Sequence, residues 1–275
     1  MYGAVDIGGT KTLVVVFDDA KNIVEQHKFP TPKNYSDFKK ELADTVANLT
    51  TKTFTAGAAG VRGNIDREKG LSLLDDVLPW GESPVRDDCA VIFGCPFVIE
   101  NDSKLAGLSE ALLVRDKYRK VLYVTISTGV GSAFIVDGKL DPDTQNSEIG
   151  KSVYEHDGEI RQLEDFASGK AIVEKYGKHA SELDDPAAWQ EISLNLAIGL
   201  INAVAAFTPE VVILGGGVGS HFEKFEKPLI DKMLAIKPTE ISMPDVRKAE
   251  HPEEAVIYGC YELARVNHGK VTKAA

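Results

Sequence analysis

Met1-Tyr2-Gly3-Ala4-Val5-Asp6-Ile7-Gly8-Gly9-Thr10-Lys11-Thr12 decides how the rest of the chain is read. An apolar run carries one aspartate, breaks at two glycines into Thr-Lys-Thr, and resumes as a second apolar run from Leu13 to Phe17. The pattern predicts a β-hairpin whose tight turn offers backbone N–H groups, a hydroxyl and an ammonium to a phosphate. Asp6, at the strand end, would face the same anion and is tolerated there beside a cation such as Mg²⁺. An ordinary glycine hairpin with a solvated lysine uses the same residues, so the turn needs support from elsewhere in the chain.

Working outward, 275 residues suffice for one large domain or two lobes. A hydrophobic fraction of 43% and a charged fraction of 27% are those of an ordinary globular protein. The formal net charge of −11 argues against a nucleic-acid partner. No apolar stretch reads as a membrane span of about 20 residues, and no basic n-region precedes the first strand, so a cytoplasmic location is expected. Cys89, Cys95 and Cys260 match no zinc or redox spacing and read as buried thiols.

Three strands are expected over Tyr2–Asp6, Thr12–Phe17 and Asn22–Phe29. After Pro30 and Pro32, Phe38, Leu42, Val46 and Leu49 recur at helical spacing, with Ser36 as the N-cap. Thr53–Ala58 predicts a further strand, followed by a glycine-punctuated loop from Gly57 to Asp66. Phe97–Glu100 predicts the next strand, leading into a helix from Ser103 to about Arg115. The pattern then begins again: a strand over Lys120–Ser127, a glycine turn, strands over Ala133–Val136 and near Leu140, a long helix over Pro186–Phe207, and a strand over Glu210–Leu214. An amphipathic helix over 254–267 closes it. The echo predicts two similar α/β lobes with a cleft between them. Residues 1–112 joined by 254–275 form the first lobe, and 113–253 form the second.

Glycine turns follow apolar strands at Gly8-Gly9, Gly129–Gly131 and Gly215–Gly219. None fits the dinucleotide fingerprint or the Walker pattern, because Ser220 and Thr10 stand where those motifs need glycine or a direct Gly-Lys step. Distributed over both halves, they point to a nucleotide held between lobes. Asp6-Ile-Gly-Gly-Thr-Lys11 with Thr125-Ile-Ser-Thr-Gly-Val-Gly131 resembles the two phosphate loops of the actin-like ATPase superfamily. Over essentially its whole length the chain resembles the ROK sugar kinases, glucokinase-like members of the hexokinase group. Glu100-Asn101-Asp102 with Gly107 and Glu110, Glu148-Ile-Gly150, Leu163-Glu164 with Ser168-Gly169, and Leu214-Gly-Gly-Gly217 carry that resemblance.

The resemblance implies a two-lobed, ribonuclease H-like fold and phosphorylation of a hexose hydroxyl by ATP and Mg²⁺. A sugar hydroxyl gives up its proton only to a positioned base, and Asp102, where a strand ends and a helix begins, is that base by resemblance. The competing role for Asp102 is a helix N-cap. Asn101, Glu148, Glu164, Gly60 and Lys151 are implied as sugar ligands, with Gly60 in a loop approaching the sugar by its backbone. Gly8, Gly9, Thr10, Lys11, Thr128, Gly129, Gly131 and Gly215, Gly216 and Gly217 are implied for ATP, and Asp6 for Mg²⁺ through water. Ser168–Lys170 are expected as further walls of the base pocket, and a homodimer is a family-level expectation.

The chain departs from the family where Glu-x-Gly-His and a cysteine-rich zinc loop are usual. It has Glu148-Ile-Gly150-Lys151 and no cysteine between Cys95 and Cys260, so no structural zinc is expected. His156 in this stretch reads as a surface histidine. Lys151 either donates to a sugar hydroxyl, meets an acidic substituent, or points to solvent. Lys104 reads as a solvated helix residue and Trp80 as core, while Arg62 either faces solvent or reaches a phosphate. Two alternatives stay open: a sugar-binding sensor with weak catalysis, and a sugar kinase using polyphosphate as donor.

Overall fold

The structure is a computed structural model that describes residues 1–73, 77–252 and 254–274. The chain divides into two compact units, Met1–Ser109 with Val256–Ala275, and Glu110–Ala255.

In the first unit the opening hairpin forms as the alternation of residues dictates. Strand β1 (Tyr2–Ile7) pairs antiparallel with β2 (Lys11–Phe17), and β2 with β3 (Ile23–Pro30). Helix α1 (Tyr35–Ala47) leads to β4 (Ala56–Val61), and the short hairpin β5 (Ile65–Asp66) and β6 (Leu71–Ser72) follows. Helix α2 (Val85–Phe93) then returns the chain to β7 (Phe97–Asn101), and α3 (Asp102–Val114) begins without a linker. The sheet order is β3-β2-β1-β4-β7, with β1, β4 and β7 parallel. Because side chains alternate across a strand, Val5, Ile7, Val14 and Val16 pack under α1 and α2, whereas Ala4, Val15 and Phe17 pack with Leu105 of α3 and with the C-terminal helix.

Several local expectations are corrected here. Asn34, not Ser36, caps α1: its side chain accepts from the backbone N–H of Ser36 and Asp37, and Ser36 Oγ donates to it as well. Strand β4 lies three residues later than its predicted start, because the run Ala-Gly-Ala-Ala-Gly-Val is buried throughout rather than looped. A Cβ on Gly57 would strike the Phe97 ring, and one on Gly60 would sit 2.5 Å from Val256 Cγ1. Gly60 is thus an interior strand residue whose missing side chain is accounted for by packing. Trp80 is core, its ring tilted against that of Phe38 with centroids 4.5 Å apart.

The second unit repeats the plan. Strands β8 (Lys120–Ile126), β9 (Val130–Val136) and β10 (Lys139–Leu140) are antiparallel neighbours. A 3-10 turn (Ile149–Lys151) precedes the hairpin β11 (Val153–His156) and β12 (Glu159–Gln162), and helices α4 (Leu163–Ala167), α5 (Gly169–Tyr176) and α6 (Pro186–Phe207) follow. Strand β13 (Val211–Gly215), helices α7 (Gly216–Gly219) and α8 (Glu226–Ile236), and strand β14 (Asp245–Lys248) complete the unit. Its sheet order, β10-β9-β8-β13-β14, with β8, β13 and β14 parallel, matches that of the first unit strand for strand. The weak sequence echo is therefore a duplicated sheet topology. Helix α9 (Ala255–Ala274) ends the described chain and packs in the first unit through Ile257, Cys260, Tyr261 and Ala264.

By length and composition α6 is apolar enough to cross a bilayer, contrary to the sequence expectation. Here Trp189, Ile192, Leu196, Leu200 and Val204 of α6 lie in the core of the second unit, packed with α4 and α8. The three cysteines are buried and unpaired with one another.

Candidate active site

In the first unit the parallel strands β1, β4 and β7 bring their carboxyl ends side by side. Asp6 is registered with Gly60 and Glu100, and Ile7 with Val61 and Asn101. In open α/β sheets this is the edge where ligands bind. Asp6 and Ala4 project to the face that α3 and α9 cover, so Asp6 lies beside the start of α3. Burial first and the nearby Asp102 charge second push the Asp6 carboxyl up, Lys11 opposes both, and the net result is about 7.

The glycine turn between β1 and β2 is braced from outside. Thr31 Oγ1 donates to the Gly8 carbonyl at 2.8 Å, and Lys33 Nζ donates to the Gly9 carbonyl at 2.9 Å. A Cβ on Gly9 would meet Val77 Cγ1 at 2.5 Å, so the bare backbone is also a steric requirement. Arg62 lies against the same turn: its backbone N–H donates to the Ile7 carbonyl at 3.2 Å, and its Cδ is 3.6 Å from where a Gly9 Cβ would be. Lys11 is exposed at the turn. Thr31 and Lys33 had no sequence signal beyond following a strand.

The cap of α3 is Asn101. Its Oδ1 accepts from the backbone N–H of Ser103 at 3.0 Å and of Lys104 at 3.3 Å, and from Ser103 Oγ at 2.5 Å. Asn101 Nδ2 donates to the Gly63 carbonyl at 3.0 Å, which leaves it one amide hydrogen. Gly63, in the left-handed region at φ 79°, is therefore the loop glycine that meets Asn101. Asp102 stands one place further on, in the first turn of the helix, and its Oδ1 shares the Ser103 N–H at 2.8 Å. Glu100 sits beneath, its carboxylate gripped by Arg67 through Nε at 2.7 Å and Nη2 at 2.5 Å, with Oε1 also accepting from the Asn101 N–H at 2.7 Å.

Lys104 corrects the sequence expectation: at 1% exposure it is one of the largest fully buried side chains. Every residue from Ser103 to Ala111 is interior, so this stretch of α3 offers a lysine no solvated face.

In the second unit, β8 and β9 enclose the turn Ser127–Gly129, closed by Ser127 N–H to the Gly129 carbonyl at 2.9 Å. Gly131 is registered with Thr125. Glu164, in the first turn of α4, lies against this turn. Its Oε2 accepts from Val130 N–H at 3.3 Å and would be 2.7 Å from a Cβ on Gly129. Lys151, at the end of the 3-10 turn, forms an ion pair with Glu164 Oε1. Glu148 begins that turn and lines a cavity of about 350 Å³ with Ser147, Tyr154 and Asn202.

A larger cavity of about 690 Å³ in the same unit is lined by Thr128, Gly169, Lys170, Glu174, Gly217 and His221 among others. The three glycines after β13 divide by role. A Cβ on Gly215 would strike the Tyr123 hydroxyl, and Gly216 has φ 78° with Ile126 O in the way. Gly217 alone of the three opens onto the cavity, with no atom within 4 Å of a Cβ placed there.

His156 is not a surface residue. Its ring stacks on Phe166 at 4.1 Å and 17°, and its Nε2 is 3.3 Å from Asn195 Oδ1. The segment 153–162 that holds it is a β-hairpin. Among the described residues no group of three or more His, Cys, Asp or Glu side chains is arranged to hold a metal.

The family model described as "ROK family" matches residues 2–267. An N-acetyl-D-glucosamine kinase from Haemophilus influenzae is 25% identical, over 96% of this chain and 99% of that protein. A glucokinase from Streptomyces coelicolor is 25% identical, over 95% of this chain and 96% of that protein. The crystal structure of a ROK family glucokinase from Streptomyces griseus in complex with glucose and AMPPNP superposes with a TM-score of 0.81 at 24% identity, covering 96% of this chain and 99% of that one.

Proposed function

The chain belongs to the ROK family, with its two-domain actin-like fold, and from that membership we propose that it is a sugar kinase moving the terminal phosphoryl group of ATP to a hydroxyl of a glucose-type hexose. The observation that carries the reading is Asp102: a carboxylate at the carboxyl ends of the parallel strands, in the first turn of the helix that Asn101 caps and set beside Asp6.

An alcohol is too weak an acid to ionise alone near neutrality, so Asp102 takes its proton as the phosphoryl group arrives. Asn101 turns its remaining amide hydrogen to a neighbouring sugar hydroxyl. Glu148 and Glu164 accept from other hydroxyls, and Lys151, paired with Glu164, donates. Lys11 and the braced turn Gly8-Gly9-Thr10 meet phosphate oxygens, as do Thr128, Gly129 and Gly131 in the second unit. The cavity opened by Gly217 takes the nucleoside. A polyphosphate donor has no base to fill that volume, which favours ATP.

Asp6 and Asp102 form a hard-oxygen, like-charged pair that suits Mg²⁺. Bound there with ATP, the ion would neutralise phosphate charge. Asp6 would hold it, through water.

A coupled assay of ADP release with Mg·ATP over hexoses and N-acetylhexosamines tests the proposal. Turnover is expected on a glucose-type sugar, lowered on the order of 10²–10⁴-fold in Asp102→Ala, the usual worth of a positioned base. Undiminished turnover in that variant removes Asp102 as base. Sugar binding without turnover on any member of the panel points instead to a sensor, and donor competition separates ATP from polyphosphate.

A further inference from the structure

Helix α4 has five residues, too few to fix its own orientation by internal hydrogen bonds. Glu164 is its second residue, so the point from which its carboxylate reaches the Val130 N–H and Lys151 is set by whatever holds α4. Three features do so. Strand β12 runs into α4 without a linker, and the Leu163 N–H donates back to the Ser152 carbonyl at 2.9 Å. Leu163 closes onto Gly199 of α6 where a Cβ would collide with it. On the other side, the Phe166 ring is covered by the face of His156 and met edge-on by Tyr154 at 6.1 Å.

Asn195 of α6, 8% exposed, joins these pieces. Its Nδ2 donates to the Phe166 carbonyl at 3.2 Å, so its Oδ1 faces the imidazole, and His156 must present Nε2–H to it at 3.3 Å. One amide thus ties the hairpin and α4 to the long core helix. We propose that His156 and Asn195 are positioning residues that aim the Glu164 carboxylate at the acceptor sugar. The proposal rests on Glu164 being a sugar ligand.

Steady-state kinetics of His156→Ala, Glu164→Gln and the double variant test it. His156→Ala is expected to raise the acceptor KM about tenfold, the scale of one hydrogen bond and one ring stack. Its kcat and its KM for ATP should stay within about twofold. His156→Gln, which restores an N–H donor, is expected to recover most of the loss. In the Glu164→Gln background His156→Ala should add nothing, since the residue it aims is already disabled. An unchanged acceptor KM in His156→Ala overturns the proposal, as does a loss spread equally over both substrates. Effects that multiply in the double variant overturn the coupling alone. An acceptor KM untouched by Glu164→Gln overturns the reading of Glu164 itself. If the alanine variant does not fold, His156→Phe keeps the stack, loses the bond to Asn195, and carries the same test with a smaller rise.

Discussion

At Asp102 the decisive question is which neighbour caps α3. Asp and Asn are both good caps, and adjacent in sequence they are indistinguishable. The backbone gives the cap to Asn101, whose oxygen collects two helix N–H groups, and Asp102 stands in the first turn sharing one of them. Asp6 shows the cost of burying a carboxylate, with a second one close by adding to it. Its pKa of about 7 in the folded chain stands above the usual value near 3.9. Below about pH 4 both folded and unfolded chains hold the proton. As pH rises toward 7 the unfolded chain releases it first, and native stability falls by an amount on the order of 2–4 kcal/mol. Asp6→Asn removes this dependence. In denaturant titrations its stability relative to wild type should be greater at pH 8 than at pH 4. A pH-independent difference would mean that Asp6 ionises normally.

Among the elements, β7 and α3 depend on a loop partner. The Arg67 guanidinium follows β5 and grips Glu100 with two nitrogens, and Glu100 in turn accepts from the Asn101 N–H. Removing Arg67 strands a carboxylate whose side chain is only 6% exposed. Breaking such a pair typically costs about 3–5 kcal/mol. Arg67→Ala should therefore lower the unfolding midpoint sharply, while Arg67→Lys, keeping a charge but not the two-pronged grip, should fall between. Equal midpoints for Arg67→Ala and wild type would contradict this. The same scale explains β4. Its residues after Ala58 read as a loop in sequence, yet they continue an interior strand because Phe97 and Val256 occupy the space where larger side chains would stand.

For the molecule as a whole, one sheet topology is used twice, and the two units carry different parts of the proposed chemistry. The base Asp102 lies in the first, and the 690 Å³ cavity in the second. Nucleotide binding should then be separable from catalysis. ADP at 100 times its Kd is expected to add about 2.7 kcal/mol to stability, in Asp102→Ala as in wild type. Gly217→Val, whose side chain enters the cavity, should lose that gain while unfolding at nearly the wild-type temperature without nucleotide; a retained ADP shift would place the nucleotide elsewhere. Much of this was legible in the chain itself. Apolar runs broken by Gly8-Gly9, Thr128-Gly129 and Gly215–Gly217 fix the strands and turns of both units, and residues at strand ends mark the ligand edge, because these depend on local alternation and turn chemistry. The fate of each polar side chain was not. Lys104 is buried because α3 is covered all round from Ser103 to Ala111, His156 is stacked because Phe166 and Asn195 arrive from other elements, and Lys151 turns to Glu164 across a hairpin. Burial and pairing are properties of surfaces brought together over long sequence separations, and only the folded chain decides them.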